Sequence, residues 1–288
     1  MMKFWLASRP PEHMDRAEFD FHWSYIHVAL MISTPSVMRG FQRYTQHRVA
    51  DGATADILPY GAAAENWYNI SEHWLPSLTE LTAIFQSEEY QRRMHPHKFG
   101  GGYPLVIELT SGEVLYDQPR PFTGRGGVKL VNFVARSDAL DQHEFAATWH
   151  DIYGPQVVET ARDNGHIKRY VQNPQLSLDA SIFAGTLFEM GGVQTYAGIE
   201  ELWFEDLASL RAHVFGSGGE LRDQADTFID ADRSFSMAVV ERVVYDYTTD
   251  PPSPRPAIEN PDSLEAAILR QERGWGEWNK IQPVTPSI

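Results

Sequence analysis

The chain of 288 residues contains no cysteine. Disulfide bonds, thiolate metal sites and a cysteine nucleophile are therefore excluded. Basic residues are also scarce: 24 Lys and Arg stand against 39 Asp and Glu, which gives a net charge of −15. Without a basic cluster, nucleic acid and anionic membranes are disfavoured as partners. No hydrophobic run approaches a membrane span or a signal peptide, so we expect a cytoplasmic protein.

Motifs that bind nucleotides or redox cofactors are missing as well. The sequence has no P-loop, no G-x-G-x-x-G after a predicted strand and no H-E-x-x-H. The glycines at 216, 218 and 219 follow a helical pattern and predict its C-terminal end. We therefore expect no cofactor. The 8 tryptophans indicate either an aromatic-lined cavity or ordinary core filling.

An internal repeat is the most informative pattern in the chain. The segment 144–173, EFAATWHDIYGPQVVETARDNGHIKRYVQN, resembles the segment 18–47, EFDFHWSYIHVALMISTPSVMRGFQRYTQH. Trp149 follows Trp23 by 126 residues, and Trp203 follows Trp74 by 129 residues. Five such anchors occur in the same order, so the repeat spans two whole modules. We predict a first module at 1–117, a linker at 118–127, a second module at 128–248 and a Pro-rich extension at 249–288.

Each module reads as strand, helix, strand, strand, helix, strand. Strands are predicted at 2–8, 41–47, 64–74 and 105–109 (extended by 113–116), and at 129–135, 167–172, 196–204 and 237–245. The second helices are predicted at 77–93 and 206–223. Pro155 should end or kink the first helix of module two, because proline lacks an N–H and clashes with the preceding turn. A short helix over 263–273 and an aromatic tail are predicted beyond the modules.

The motif order E-F-x-x-x-W-x-x-x-H, then R-Y-x-Q, then a strand ending in E-x-W resembles the EthD-like family of ferredoxin-like α+β barrels. The resemblance covers roughly 2–247 and is closer in module two. It implies an α+β fold in which two βαββαβ modules pack sheet to sheet as an intramolecular pseudo-dimeric barrel. It also implies a ligand cavity between the two sheets and relatives that act on aromatic or polyketide compounds without a cofactor. A homodimer of this chain remains an option.

Histidines are the first candidates for acid–base chemistry, since their unperturbed pKa is about 6.5. His27 stands at the motif histidine, where module two has Tyr153, but it could instead pack at the helix end. His73 lies in mid-strand, facing either solvent or a polar cavity. His95 and His97 could form a metal pair, but Pro96 and the lack of a third ligand make an acid–base role for His95 or a solvated loop more plausible. We therefore expect no metal.

Tyrosines, cations and tryptophans are the candidates for holding a substrate. Tyr44 and Tyr170 occupy the same position in the two second strands, where a phenol beside a cation could bind a carboxylate or phenolate, or could be purely structural. We predict catalytic roles for His27, Tyr44, His73 and His95, and substrate contacts for Arg43, Trp74, Asn132, Tyr153, Lys168, Tyr170 and Trp203.

The leading hypothesis from the sequence is a cofactor-independent lyase, of the decarboxylase or dehydratase type, that acts on a small aromatic or phenolic compound. A phenol can move electrons through its own ring, so the protein needs only a proton relay and a dry pocket. The alternatives are a cofactor-free monooxygenase, an isomerase or cyclase of an aromatic or polyketide compound, and a non-catalytic protein that binds aromatic ligands.

Overall fold

The computed structural model describes residues 1–12, 14–61, 67–94, 105–118, 127–176, 180–186 and 196–253. Within these residues, nine strands form one antiparallel sheet. The sheet curls into a nearly closed barrel, and the helices pack on its outside. The predicted α+β class and the intramolecular pseudo-dimeric barrel are confirmed.

The two halves of the sheet have the same strand order. In module one it is β4 (Val106–Ser111), β1 (Met2–Ser8), β3 (Asn69–Leu75) and β2 (Arg43–Val49). In module two it is β9 (Ile229–Asp246), β6 (Val128–Arg136), β8 (Gly198–Phe204) and β7 (Ile167–Pro174), with the short β5 (Glu113–Asp117) added at the edge of β7. This is the order 4-1-3-2 in both modules, as the repeat predicts.

Two seams join the modules into a barrel. The long strand β9 pairs with β6 through residues 229–239 and with β2 through residues 239–246. On the other side, β5 continues the chain of β4 and pairs with β7, and a bridge between Thr110 and Gln175 extends this seam. The modules therefore pair with each other on both sides, which leaves β4 and β5 as the two ends of a nearly closed sheet.

The first helix of each module contains a π-helical turn at the same place in the repeat. Helix α1 (Arg16–Phe21) passes through the π turn His22–His27 into α2 (Val28–Ile32), which is followed by α3 (Pro35–Gly40). In module two, α6 (Gln142–Ala147) passes through Thr148–Tyr153 into α7 (Gly154–Asn164). Pro155 therefore lies in the first turn of α7, directly after the widened π turn. A regular α-helical hydrogen bond from its backbone nitrogen is not needed there, so proline is tolerated.

The second helices are each split, which the sequence did not predict. Module one has α4 (Leu78–Gln86) and α5 (Glu88–Met94), because Ser87 is extended with ψ 134°. Module two has α8 (Leu207–Phe215) and α9 (Ser217–Ala225), separated by Gly216 at φ −108° and ψ −121°. As predicted, α8 ends at these glycines, with Gly216 as its C-cap, but a second helix, α9, begins at Ser217 and contains the other two.

Strand alternation divides the buried side chains between two environments. In β3, Ser71 and His73 face the helices of module one, whereas Glu72 and Trp74 face the barrel interior. Each module has its own apolar core between sheet and helices, and a third core fills part of the barrel around Trp5. None of the described helices combines the length and apolar character that crossing a membrane requires.

Candidate active site

The candidate residues from the sequence lie in three separate places, because neighbouring positions on a strand face opposite sides of the sheet. The helix side of module one holds His27, Tyr44 and His73. The barrel mouth holds Arg43, Trp74 and Trp203. The helix side of module two holds Asn132, Tyr153 and Tyr170. His95 and His97, the predicted helix over 263–273 and all of the extension beyond 253 lie outside the described residues.

In module one, the candidate side chains are packed against aromatic rings. The ring of Tyr44 stacks on His73 with centroids 4.3 Å apart, and Phe41 stacks on the same imidazole at 4.7 Å. His27 meets Tyr44 edge-on at 6.3 Å. Burial lowers the pKa of His27 to about 4 and that of His73 to about 3. Both imidazoles are therefore neutral near pH 7 and sit in an apolar core.

The barrel mouth is a cavity of about 830 Å³ with matching residues from both modules. The guanidinium of Arg43 lies 4.8 Å from the ring centre of Trp74, and that of Arg169 lies 5.3 Å from Trp203. The ammonium of Lys129 lies 4.2 Å from the ring centre of Trp203. Each tryptophan is thus engaged by cations of the protein itself.

Below this mouth, a buried ion network connects the modules. The Lys129 Nζ lies 2.7 Å from both Glu201 Oε2 and Glu241 Oε2, and Lys3 Nζ lies 2.8 Å from Glu201 Oε1. Burial alone would raise the pKa of Glu201, but Lys129 and Lys3 outweigh it and lower this pKa to about 2. These carboxylates are therefore ionised and paired.

One part of this network has donor atoms that could hold a metal ion. Ligand atoms of His47, Glu72 and Glu241 lie within 4.8 Å of one another. However, Lys129 Nζ is 2.7 Å from Glu241 Oε2 and 4.0 Å from Glu72 Oε2, so an ammonium group already supplies positive charge there. A divalent cation at this place would have to displace Lys129, and the prediction of no metal stays a prediction.

Lys168 stands apart from the other candidates. Its Nζ lies 3.9 Å from the exposed Glu205, in a loose surface pair. The strand β7 is irregular between Ile167 and Arg169, so the simple alternation of faces does not extend through this residue. The structure does not bring Lys168 together with Tyr170.

The helix side of module two contains a cavity of about 280 Å³. It leads inward from the exposed side chains of Asp56 and Asp223 to the carboxyl group of Glu200, which is 2 % exposed. Asn132 and Tyr153, both predicted to contact substrate, line the same cavity. A concave site of this kind with a few convergent polar groups is typical of small-molecule binding.

Two hydrogen bonds are donated to the carboxyl group of Glu200. Asn132 Nδ2 donates to Oε2 at 2.8 Å, and the hydroxyl of Tyr170 donates to Oε1 at 2.9 Å. The direction of the second bond is fixed by Gln172, whose Nε2 donates to the Tyr170 oxygen at 2.7 Å and to the carbonyl of Trp149 at 2.9 Å. With its oxygen accepting from Gln172, Tyr170 has its own hydrogen left for Glu200.

The electrostatics of this cavity centre on Glu200. Burial raises its pKa, and the bonds from Asn132 and Tyr170 offset only part of that increase. Burial also raises the pKa of Tyr153 and Tyr170 well above the ordinary value, and the charge of Glu200 adds to the increase. The site therefore combines a carboxyl group of raised pKa with phenols that stay protonated.

Two phenol groups remain available for a ligand. Tyr60 and Tyr153 line the cavity, and their hydroxyls have no hydrogen-bond partner in the described part of the chain. Burial, followed by the charge of Glu200, raises the pKa of Tyr60 too, so it lies near the carboxyl group and is a donor at neutral pH. Tyr60 comes from module one, in the connection between β2 and β3.

Sequence reasoning missed Glu200 and Tyr60, although the repeat contained a signal for the first. The residue of module one that corresponds to Glu200 is Ser71, which accepts a hydrogen bond from Trp23 Nε1 at 3.0 Å. Alternation places both on the helix side of the sheet. A carboxyl group on the core-facing side of one copy of a repeat marks that copy as the functional candidate. Tyr60 has no counterpart in the pattern.

The chain belongs to the EthD domain family. The family model matches residues 11–99 and 137–232, one match per module, and together these cover more than half of the chain. No curated protein sequence matches the chain. The family thus accounts for the repeat and for the paired βαββαβ modules.

Solved structures share the fold at low sequence identity. An anthrone oxidase-like protein has a TM-score of 0.52 and 12% identity, over 86% of this chain and 94% of its own. A proposed monooxygenase from Lactobacillus acidophilus has a TM-score of 0.44 and 9% identity, over 84% and 94% of the two chains. Chlorite dismutase from Candidatus Nitrospira defluvii has a TM-score of 0.39 and 10% identity, over 93% and 94%. At these identities the likeness concerns the fold.

Proposed function

We propose that this protein is a cofactor-independent enzyme that removes a proton from a small aromatic or phenolic compound in the module-two cavity. The observation that carries the proposal is the buried carboxyl group of Glu200 facing a cavity that is also lined by Tyr60 and Tyr153, whose hydroxyls have no hydrogen-bond partner among the described residues. A base with a raised pKa beside such donors is an arrangement suited to proton abstraction next to a carbonyl or phenol.

The proton transfer follows from these groups. Glu200, in its ionised form, accepts the proton, so a C–H or O–H bond of the substrate breaks and an O–H bond forms on the carboxyl group. The electron pair moves into the ring system and onto the substrate oxygen. The hydroxyls of Tyr60 and Tyr153 can then donate to this oxygen, because their raised pKa keeps them protonated.

A lyase is the leading reaction class, and the cavity favours its dehydratase form over a decarboxylase. A decarboxylase needs a cation to hold the carboxylate of its substrate. Among the described residues that line the cavity, only Arg222 carries a permanent positive charge. Its Nε donates to Asp226 at 2.8 Å and its guanidinium covers the ring of Tyr60 at 4.7 Å. A neutral phenol or ketone therefore fits better than a benzoate.

Deuterium exchange tests the proposal without knowledge of the natural substrate. Anthrone has acidic methylene protons, and we expect the protein to accelerate their exchange in D₂O, as measured by NMR. The variant Glu200→Gln should reduce the accelerated rate by about 10²- to 10⁴-fold, the usual contribution of a general base. Glu205→Gln is the matched control, since its side chain is 73% exposed and lies outside the cavity. Equal rates for the two variants would refute the role of Glu200.

The second candidate is a cofactor-free monooxygenase, which uses the same first step. A carbanion or phenolate formed by Glu200 would react with O₂ instead of losing a leaving group. The fold shared with an anthrone oxidase-like protein favours keeping this candidate. Oxygen consumption that accompanies anthrone turnover, and disappears in Glu200→Gln, would decide for it. Binding of anthrone without exchange or oxygen uptake would indicate the third candidate, a non-catalytic protein that binds aromatic ligands.

A further inference from the structure

A hydrogen-bond chain connects the carboxyl group of Glu200 to the backbone of module one. The backbone N–H of Tyr60 donates to Ser236 Oγ at 3.0 Å, and Ser236 Oγ donates to Asn132 Oδ1 at 2.7 Å. Asn132 Nδ2 then donates to Glu200 Oε2 at 2.8 Å. Ser236 and Asn132 are each 2 % exposed, so solvent does not substitute for these partners.

The direction of each bond in this chain follows from its first member. A backbone N–H can only donate, so Ser236 Oγ accepts from Tyr60. The hydrogen of Ser236 is then directed to Asn132, whose amide must present its oxygen to Ser236 and its nitrogen to Glu200. The backbone of Tyr60 is itself held, because its carbonyl accepts from the N–H of Ser236 at 3.0 Å. The orientation of the Asn132 amide is thus set by a residue of the other module.

We propose that Ser236 is a positioning residue, which holds the Asn132 amide in the orientation that donates a hydrogen bond to Glu200. Through Ser236, the β2–β3 connection of module one, which carries Tyr60, is linked to the base in module two. This inference rests on the proposed role of Glu200. If the Asn132 side-chain amide rotated by half a turn, its oxygen would face Glu200 and would stabilise the protonated carboxyl group. The same rotation would point an amide N–H at the hydroxyl hydrogen of Ser236. The hydrogen bond from Ser236 therefore opposes the rotation.

Other titratable and polar groups lie around the same carboxyl group or line its cavity. They are Tyr170 on β7, Trp149 and Tyr153 on the π turn, His213 on α8, Arg222 and Asp223 on α9, and Tyr60 and Asp56 on the connection between β2 and β3. Of these groups, Tyr60 is the one that contacts Ser236 by a hydrogen bond among the described residues, and it does so through its backbone N–H and carbonyl. The backbone N–H at position 236 still donates to the Tyr60 carbonyl in a Ser236 variant, so a change of the Glu200 titration reports on the chain through Asn132.

The test is an NMR titration of the carboxyl carbon of Glu200 in labelled protein, with Glu200→Gln to assign the signal. We expect Ser236→Ala to move the midpoint upward by roughly one pH unit, since one charge-assisted hydrogen bond loses its fixed geometry. Ser236→Thr keeps the hydroxyl and should restore the native midpoint. An unchanged midpoint in folded Ser236→Ala overturns the inference, whatever the enzyme assay shows.

A neighbouring serine provides the matched control. Ser234, on the same strand, is also buried and its Oγ accepts from the backbone N–H of Ala135 at 2.8 Å, but its hydrogen goes to the carbonyl of Asp230. Ser234→Ala should cost stability and leave the Glu200 midpoint unchanged. An equal shift in both variants would show a merely structural effect and overturn the inference.

A second variant keeps the inference testable if Ser236→Ala does not fold. Asn132→Leu introduces the residue that module one has at the corresponding position, Leu6. It removes the donor to Glu200, so the midpoint should rise at least as far. No rise in this variant would also overturn the inference. The readout does not depend on turnover: a shifted midpoint without anthrone exchange would support the positioning role of Ser236 while contradicting the proposed reaction.

Discussion

Replacing Lys129 by methionine tests how much the buried ion network contributes to the stability of the fold. Lys129 is 1 % exposed and contacts carboxylates from β8 and β9 at 2.7 Å. The network contains two ammonium groups, from Lys3 and Lys129, against three carboxylates. Methionine has a similar length and no charge, so the change leaves the carboxylates buried with one ammonium fewer.

The expected loss is large because unpaired buried charges are costly. Removing one partner of a buried ion pair typically destabilises by about 3–5 kcal/mol. The pKa of Glu201 leads to a similar magnitude: the two ammonium groups hold it at about 2 instead of the ordinary 4.5, which corresponds to about 3 kcal/mol at neutral pH. A carboxyl with a lowered pKa stabilises the fold above its unfolded pKa. This contribution fades as the pH falls from 4.5 toward 2.

Urea unfolding followed by tryptophan fluorescence measures the effect at several pH values. We expect Lys129→Met to lose about 3–5 kcal/mol at neutral pH, and the gap to the native protein to narrow as the carboxylates become protonated. Lys168→Met is the matched control, since its ion pair with Glu205 is long and partly exposed and should contribute less than about 1 kcal/mol. A loss in Lys129→Met no larger than in the control would refute the reasoning.

Three further outcomes follow from the module-two cavity. Tyr153→Phe should slow anthrone exchange by at least about tenfold, because one hydrogen-bond donor is lost. His27→Ala should lower thermal stability and leave the exchange rate per folded molecule unchanged. The reverse result would place the site in module one. Because the pKa of Glu200 is raised in the folded protein, the thermal midpoint of the native protein should fall as the pH rises from 4.5 through this raised pKa. The thermal midpoint of Glu200→Gln should not show this fall. Prolonged EDTA should leave the exchange rate unchanged, and a loss restored by one metal would contradict the absence of metal in this chemistry.

The repeat made the fold predictable because the two copies constrain each other. Offsets of 126 and 129 residues aligned Trp23 with Trp149 and Trp74 with Trp203, and the resulting strand and helix order is the observed one. The break at Ser87 was not predictable in the same way, and the glycines from 216 predicted the end of α8 but not the start of a new helix at Ser217. Local backbone angles at one residue decide whether a helix is one segment or two.

The site was less predictable, because the sequence does not tell which side of each strand becomes a cavity. Alternation correctly separated His73 from Trp74, but the family resemblance pointed to the barrel interior, where charges of both signs are paired. Whether a cavity forms beside Glu200 depends on how tightly the helices of each module pack on the sheet. Tyr60 reaches it only through the contact between modules.

The seam between β2 and β9 also has a consequence for synthesis of the protein on the ribosome. Val49 ends β2 and pairs with Val239 of β9, so the strand and its partner lie 239 − 49 = 190 positions apart in the chain. At about 5–20 residues per second, β2 waits on the order of ten to forty seconds before its partner has been made. During that time its free edge, with unpaired backbone groups, is open to pairing with other chains. Because both modules belong to one polypeptide, β2 does not depend on an encounter with a second molecule to find its partner strand. The time that it stays unpaired is set by the speed of translation instead.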